Sequence, residues 1–185
     1  MIKVGSYFSD EKKKKIIKVY KVLNNTYCNM ENIGIEKEKK GSYLLYSDQN
    51  EIIFDIPGLK TPFGIEEYNN KRVINLEFTN MEGDNDIRNL FCQLSGYEEN
   101  FQKNIEELKH IDDFDLCENF VSSIRKNGKF DPLIRVHITD DSEIPLSGCP
   151  AKSKVCGKIR LKKLWTWKDK WGMWMDVINL EIKND

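Results

Sequence analysis

Val155-Cys156-Gly157-Lys158-Ile159-Arg160-Leu161-Lys162 and Met173-Trp174-Met175-Asp176-Val177-Ile178-Asn179-Leu180-Glu181-Ile182 are the two runs that decide how this chain reads. In the first, Val155, Gly157, Ile159 and Leu161 alternate with Cys156, Lys158, Arg160 and Lys162, the period of a strand with one face toward a core and the other presenting cations. In the second, Trp174, Ile178, Leu180 and Ile182 stand in phase, which predicts a partner strand with Trp174 buried. Lys168-Asp169-Lys170 supplies the connecting tip. Trp165, in phase with Ile159 and Leu161, is expected in the core as well.

Outward from this hairpin, Pro132 to Ile138 reads as another strand, and Arg72 to Phe78 as one with Ile74, Leu76 and Phe78 on a common face. Ser42 to Tyr46 and Glu51 to Ile56 flank the polar turn 47–50 and are predicted to pair as a hairpin. Residues 57–65 hold too many prolines and glycines to continue a ladder. Residues 84–111 change to helical spacing: Asp84 or Asp86 can cap, Ile87, Leu90, Phe91 and Leu94 form one stripe, Gly96 interrupts, and Phe101, Ile105, Leu108 and Ile111 form a second. Two helices or one broken helix are therefore expected after the third strand. Residues 9–23 fit a short amphipathic helix, and the polar residues 24–40 a mobile connector. About six strands without regular strand-helix alternation indicate a mainly β, α+β chain, a small antiparallel barrel or sandwich, with residues 1–40 as an extension and 41–185 as the domain.

The 185 residues hold 39% hydrophobic and 32% charged side chains, enough for one core beneath a charged surface. Apolar runs are too short for a spanning helix and no apolar leader opens the chain, so no membrane contact is expected and the protein is read as staying where it is made. Its five cysteines, Cys28, Cys92, Cys117, Cys149 and Cys156, lack zinc-ligand spacing and read as reduced thiols, mostly small buried hydrophobes. No metal or other cofactor is called for. Asp112, Asp113 and Asp115 read as a solvated acidic run, and His137 as a half-buried histidine satisfied by a hydrogen bond. Nucleotide-binding, hydrolase and metalloprotease motifs are all absent from the sequence, so no catalytic residue is assigned.

The net charge of −1 conceals a segregation. Residues 151–170 carry Lys152, Lys154, Lys158, Arg160, Lys162, Lys163, Lys168 and Lys170 against Asp169 alone, and the four tryptophans, Trp165, Trp167, Trp171 and Trp174, fall in or beside the same stretch. Cations neutralise phosphates and release counterions, while exposed aromatic rings stack on unpaired bases, so this combination suits a single-stranded nucleic acid. Edge protection of a sheet accounts for some of the lysines but not for eight. The candidate contacts are Lys158, Arg160, Lys162, Lys163, Lys168 and Lys170 for phosphates, with Trp167 and Trp171 at the tip for bases. Phe63 and Tyr68 border the proline- and glycine-rich loop and join the set, although Phe63 alone reads as core.

Thr61-Pro62-Phe63-Gly64-Ile65, the strand at 72–78, Phe130-Asp131-Pro132-Leu133-Ile134-Arg135-Val136, Leu164-Trp165 and Lys170-Trp171-Gly172-Met173-Trp174 occur in an order that resembles the OB-fold single-stranded-DNA-binding proteins of nucleocytoplasmic large DNA viruses. The resemblance spans about residues 41–182. It implies an OB-like β-barrel with a helical insertion after the third strand, and a protein that coats single-stranded DNA without catalysis during viral replication, recombination or repair. It further implies replication or recombination proteins as partners and a place in the host cytoplasm, at the viral factory, or in the virion, while the residues themselves do not separate DNA from RNA, which stays an alternative ligand. The chain departs from that pattern in having a single Thr-Pro element and no long acidic tail. A virion or scaffold protein that docks a partner through the tryptophan hairpin is the competing reading. A nuclease would need Asp140, Asp141 and Glu143 to converge beside the basic surface.

Overall fold

The computed structural model describes residues 15–16, 33–39, 41–47, 50–103, 118–126, 128 and 130–183. As the alternation predicts, Lys154–Trp167 (β10) and Lys170–Ile182 (β11) pair antiparallel from Val155 and Ile182 up to Trp167 and Lys170, across the two-residue tip Lys168-Asp169. The register slips twice, between Lys158 and Ile159 and between Leu161 and Lys163, leaving Ile178 and Lys162 as the unpaired residues. A bulge sends every later side chain of its strand to the opposite face. Trp171, Met173, Met175 and Val177 are therefore buried on one side, and past Ile178 the buried position passes to Leu180. This overturns the phase expected for β11. Trp174 faces away from the core, and Trp171 enters it at 1% exposure against Phe120.

Among the described residues, eleven strands join one mixed sheet that carries one helix. Ile52–Lys60 (β4) pairs along the lower half of β10, from Lys154 to Leu161. Lys71–Glu77 (β6) meets β4 through Lys60 and Glu77, and Leu133–Ile138 (β9) lies antiparallel along β6. A parallel contact between Asp176 and His137 joins β9 to β11. The neighbours β10, β4, β6, β9 and β11 thus lead back to β10. Ile74, Leu76, Ile134, Val136, Ile159, Leu161 and Met175 line the common core, whereas Val73, though buried, lies on the other face of β6.

The expected hairpin of Ser42–Ser47 (β3) with β4 is closed only at its turn, where Ser47 and Asn50 exchange backbone hydrogen bonds of 2.8 and 2.7 Å. Beyond it β10 separates the two strands. Bent at the Lys162 bulge, its upper half, Lys163 to Trp165, pairs with β3 while its lower half pairs with β4. The connector expected over 24–40 is also corrected: Ile33–Lys39 (β2) pairs with β3, and Ile33 and Ile35 are buried. Lys15–Ile16 (β1) pairs with β2 where a helix over 9–23 is expected; the rest of that segment lies outside the described residues.

Pro57 and Gly58 do not end β4. Gly58, at φ +125°, is the extra residue of a bulge between the pairs Val155–Leu59 and Cys156–Pro57. Glycine adopts that conformation without the steric penalty of a Cβ, so the ladder resumes on either side. Ile65–Tyr68 (β5), not expected from the sequence, forms a hairpin with β6 through Asn69 and Asn70, at φ 50° and 57°. Positive φ at both turn residues is the geometry that matches strand twist, and asparagine tolerates it. Asn119–Val121 (β7) and Ile124–Arg125 (β8) are short additions on β11 and β9.

The helix, Asn85–Lys103 (α1), follows β6 and begins at Asp84, whose carboxylate accepts from the amides of Asp86 and Ile87 at 2.9 and 3.2 Å. It runs through Gly96 unbroken. The glycine costs about 1 kcal/mol relative to alanine, an amount outweighed by burying Ile87, Leu90, Leu94 and Phe101, with Tyr97 edge-on to Phe54 and Phe91 edge-on to Phe78. The expected stripe at Ile105, Leu108 and Ile111 falls outside the described residues.

Candidate nucleic-acid interface

On the sheet face turned away from the core, alternation puts Lys71, Val73 and Asn75 of β6 beside Arg135 and His137 of β9, and Trp174 and Asp176 of β11 follow. Arg135 and His137 are two residues apart on one strand, about 6.6 Å along it. The Arg135 guanidinium lies 4.3 Å from the centre of the Tyr68 ring, and its Nε donates to Asn75 Oδ1 at 3.3 Å. The His137 imidazole stacks on Trp174 with centroids 3.5 Å apart and planes 6° from parallel. The Lys71 ammonium stands 4.4 Å, and that of Lys163 5.4 Å, from the centre of the same indole. Arg125 of β8 flanks the group.

Three of these cations lack a carboxylate partner among the described residues, although Glu66 Oε2 accepts at 2.6 Å from Nδ2 of the Asn75 amide that Arg135 also bonds. Among the described residues no carboxylate pairs with Lys71, Arg125 or Arg135. The crowding of positive charge adds to the effect of burial at Arg125 and His137. Burial first, then the Arg135 charge, pull the Arg125 guanidinium below its usual value. Burial, Lys71 and Arg135 together lower His137 to about 4, against a smaller opposing pull from Asp176. His137 is therefore neutral near pH 7. Its Nδ1 is buried without a hydrogen-bond partner, contrary to the satisfied histidine expected at this position.

The cations of β10 behave differently. Arg160 grips the fully buried Asp176 through Nε and Nη2, both at 2.9 Å, and also pairs with Glu51; these contacts, led by the Asp176 hydrogen bonds, raise its pKa. Lys162 reaches the same Asp176 at 3.3 Å, Lys163 reaches Glu38 at 3.4 Å and Lys158 reaches Asp55 at 4.0 Å. Four of the six expected phosphate contacts thus face carboxylates from elsewhere in the fold. Lys168 and Lys170 sit at the exposed tip, where the Lys168 ammonium lies 4.5 Å from the Trp167 ring and the backbone of Lys170 is in register with Asn119 of β7.

Of the expected aromatic contacts, Trp167 and Tyr68 are exposed, at 63% and 51%. Trp171 is not available to a base: it is sealed beneath the tip by Phe120, 4.7 Å away. Trp165 is half-buried rather than core; its Nε1 donates to the Met173 carbonyl at 3.2 Å and its ring covers Gly172, where a Cβ would come within 2.9 Å of it. That approach explains the glycine between Trp171 and Trp174. Phe63, read as core when taken alone, is 57% exposed on a turn in which the Gly64 amide donates to Thr61 Oγ1 at 3.0 Å. The Thr-Pro-Phe-Gly stretch is docked on the loop before β10 by Thr61 N to Ser153 O at 2.8 Å and Lys152 N to Thr61 O at 2.6 Å.

Sequence reasoning missed Lys71, Arg125, Arg135, His137 and Trp174. Their signal is present but short: Arg135 and His137 alternate with Ile134, Val136 and Ile138, and a cation two residues from a histidine on a strand shares its face. Cys149 is buried, but Cys92 is exposed and Cys156 half-buried, correcting the reading of these thiols as small core residues. Among the described residues no group of three His, Cys, Asp or Glu could hold a metal, and no helix is long and apolar enough to cross a membrane. No family model matches the chain, and no curated protein matches it.

Proposed function

We propose that this chain is a single-stranded-DNA-binding protein whose strand-coating surface is the outer face of β6, β9 and β11, with RNA as an alternative ligand. The observation that carries the reading is the set Lys71, Arg125 and Arg135, without carboxylate partners among the described residues, set beside the rings of Tyr68 and Trp174. Cations lacking a counter-charge are the ones that gain most from a phosphate, and rings at the surface offer bases a stacking partner worth about 1–3 kcal/mol each.

The strand pairing supports an OB-like barrel as the scaffold. Taken in chain order, β4, β6, β9, β10 and β11 act as barrel strands one to five: one pairs with two and four, two with three, three with five in parallel, and four with five. In that arrangement the outer face of strands two and three, framed by the loops between one and two and between four and five, receives oligonucleotides. Here those elements are the β6–β9 face, the segment bearing Phe63 and Tyr68, and the Lys168-Asp169 tip. The resemblance to viral single-stranded-DNA-binding proteins supports a role in replication, recombination or repair.

Anisotropy titration with a labelled oligothymidylate tests the proposal. Three or four neutralised phosphates predict a slope of log K against log salt of about −2 to −3. Duplex DNA of the same length should bind more weakly. Absence of binding to single strands at low salt, or affinity indifferent to salt, refutes it.

A further inference from the structure

His137 sits where the proposed ligand would change its charge balance. From β6 it faces Lys71, from its own strand Arg135, from β10 Lys163 and from β11 Asp176, with the Trp174 indole stacked on its ring. Three of these neighbours are positive. The one negative neighbour, Asp176, is already engaged by Arg160 and Lys162. Nδ1 is buried without a partner, so no hydrogen bond within the protein rewards a second proton at that atom.

We infer that binding of a polyanion to this face is coupled to uptake of one proton by His137, so that the site holds single-stranded nucleic acid more tightly as the solution becomes acidic. The inference rests on the reading under Proposed function and adds to it a regulation of the same site. Phosphates laid against Lys71 and Arg135 cancel the charges that repel an imidazolium, and the proton is taken from the buffer. Protonation also converts the ring stacked on Trp174 into a cation over an indole face, a favourable contact in its own right.

The sign follows from linkage. The free protein holds His137 near 4, below the ordinary value of 6.5. Bound phosphates offset the Lys71 and Arg135 charges but not burial, the largest cause of the depression, so 6.5 is the ceiling for the complex; up to that ceiling the complex carries more protons than the free protein, and affinity must rise as pH falls through the window between the two values. The expected gain is a few-fold, with a ceiling of roughly tenfold, between about pH 7.5 and 5.5, most of it below pH 6.5. Carboxylates ordinarily titrate below this window.

Binding of oligothymidylate carrying a pH-insensitive dye, at constant ionic strength across that range, tests the coupling in the full chain. Tightening of roughly two- to tenfold in the native protein, with a flat profile in His137→Gln, supports it. A flat native profile with binding intact overturns the coupling while leaving the proposed function standing, and so does tightening that persists in His137→Gln. Failure to bind at any pH overturns both. Nuclear magnetic resonance of the His137 ring supplies a reading that needs no variant: its midpoint should lie near 4 in the free protein and move up with oligothymidylate bound. A midpoint unmoved by ligand overturns the inference.

Discussion

Two groups of cations, those of β10 and those of β6, β8 and β9, differ in what stands opposite them. Lys158, Arg160, Lys162 and Lys163 each face a carboxylate: Asp55, Asp176 with Glu51, Asp176 again, and Glu38. Lys71, Arg125 and Arg135 face none among the described residues, and lie against Tyr68 or Trp174, or press on one another. The denser run along the chain is therefore the better neutralised one in space. A strand's charges are answered by groups that the fold brings beside them, and most of these come from distant parts of the sequence. For a ligand, local charge matters only after its internal counter-ions are subtracted.

The sharpest break of the paired group is at Asp176, which is fully buried and holds both Arg160 and Lys162. Asp176→Asn leaves the Arg160 guanidinium without its main counter-charge, and the loss of stability should be about 3–5 kcal/mol, read from urea or thermal unfolding. A loss below about 1 kcal/mol would mean that this pair is solvated like a surface bridge. The corresponding break of the unpaired group is Trp174→Ala, which should leave the fold near its native stability but weaken oligothymidylate binding by about 1–3 kcal/mol. Trp171→Ala gives the opposite pattern: it empties a buried site and costs about 3–5 kcal/mol of stability, with little effect on the affinity of the molecules that remain folded.

Charge can be removed from either group without touching the core. The double variant Lys71→Gln with Arg135→Gln should lower affinity roughly tenfold at low salt and make the salt slope shallower by about 1.4, the value for two phosphate contacts on a single strand. Lys158→Gln with Lys162→Gln should change the slope by less than half as much. Equal changes in the two doubles would erase the distinction between the groups.

How much of this was legible in the sequence depends on the range of the interaction. The β10–β11 hairpin, β9 and β6 are local patterns and are read correctly from alternation, and capping chemistry narrows the helix start to Asp84 or Asp86, of which the structure uses Asp84. The β3–β4 hairpin is not, because the neighbour that displaces it, β10, lies more than a hundred residues away. Trp171 and Trp174 exchange roles for a subtler reason. One unpaired residue per bulge reverses a strand's faces, and Lys162 and Ile178 carry no compositional mark that distinguishes them from paired neighbours. The candidate site inherits both difficulties: its cations come from strands joined only in the folded sheet, and its main indole is presented by a bulge.

The smallest expected effect tests whether the paired group is idle or merely restrained. Glu38 and Glu51 are at least a third exposed, so their bridges to Lys163 and Arg160 are worth little to the fold, under about 1 kcal/mol each. Lys163, however, stands 5.4 Å from the Trp174 ring, at the border of the candidate surface. Glu38→Gln removes its counter-charge, while the amide oxygen can still accept from Ser42, whose hydroxyl now bonds Glu38 at 2.6 Å and lowers its pKa. Lys163 then turns to the ligand at no cost in pairing, and affinity should rise about two- to threefold at low salt and not at all at high salt, where the released charge is screened. Glu51→Gln should do less, since Arg160 keeps both bonds to Asp176. A gain from Glu38→Gln alone would put the edge of the bound strand at Lys163. No gain from either would confine it to β6, β8, β9 and the Trp174 position of β11, making the separation between restrained and unrestrained cations complete.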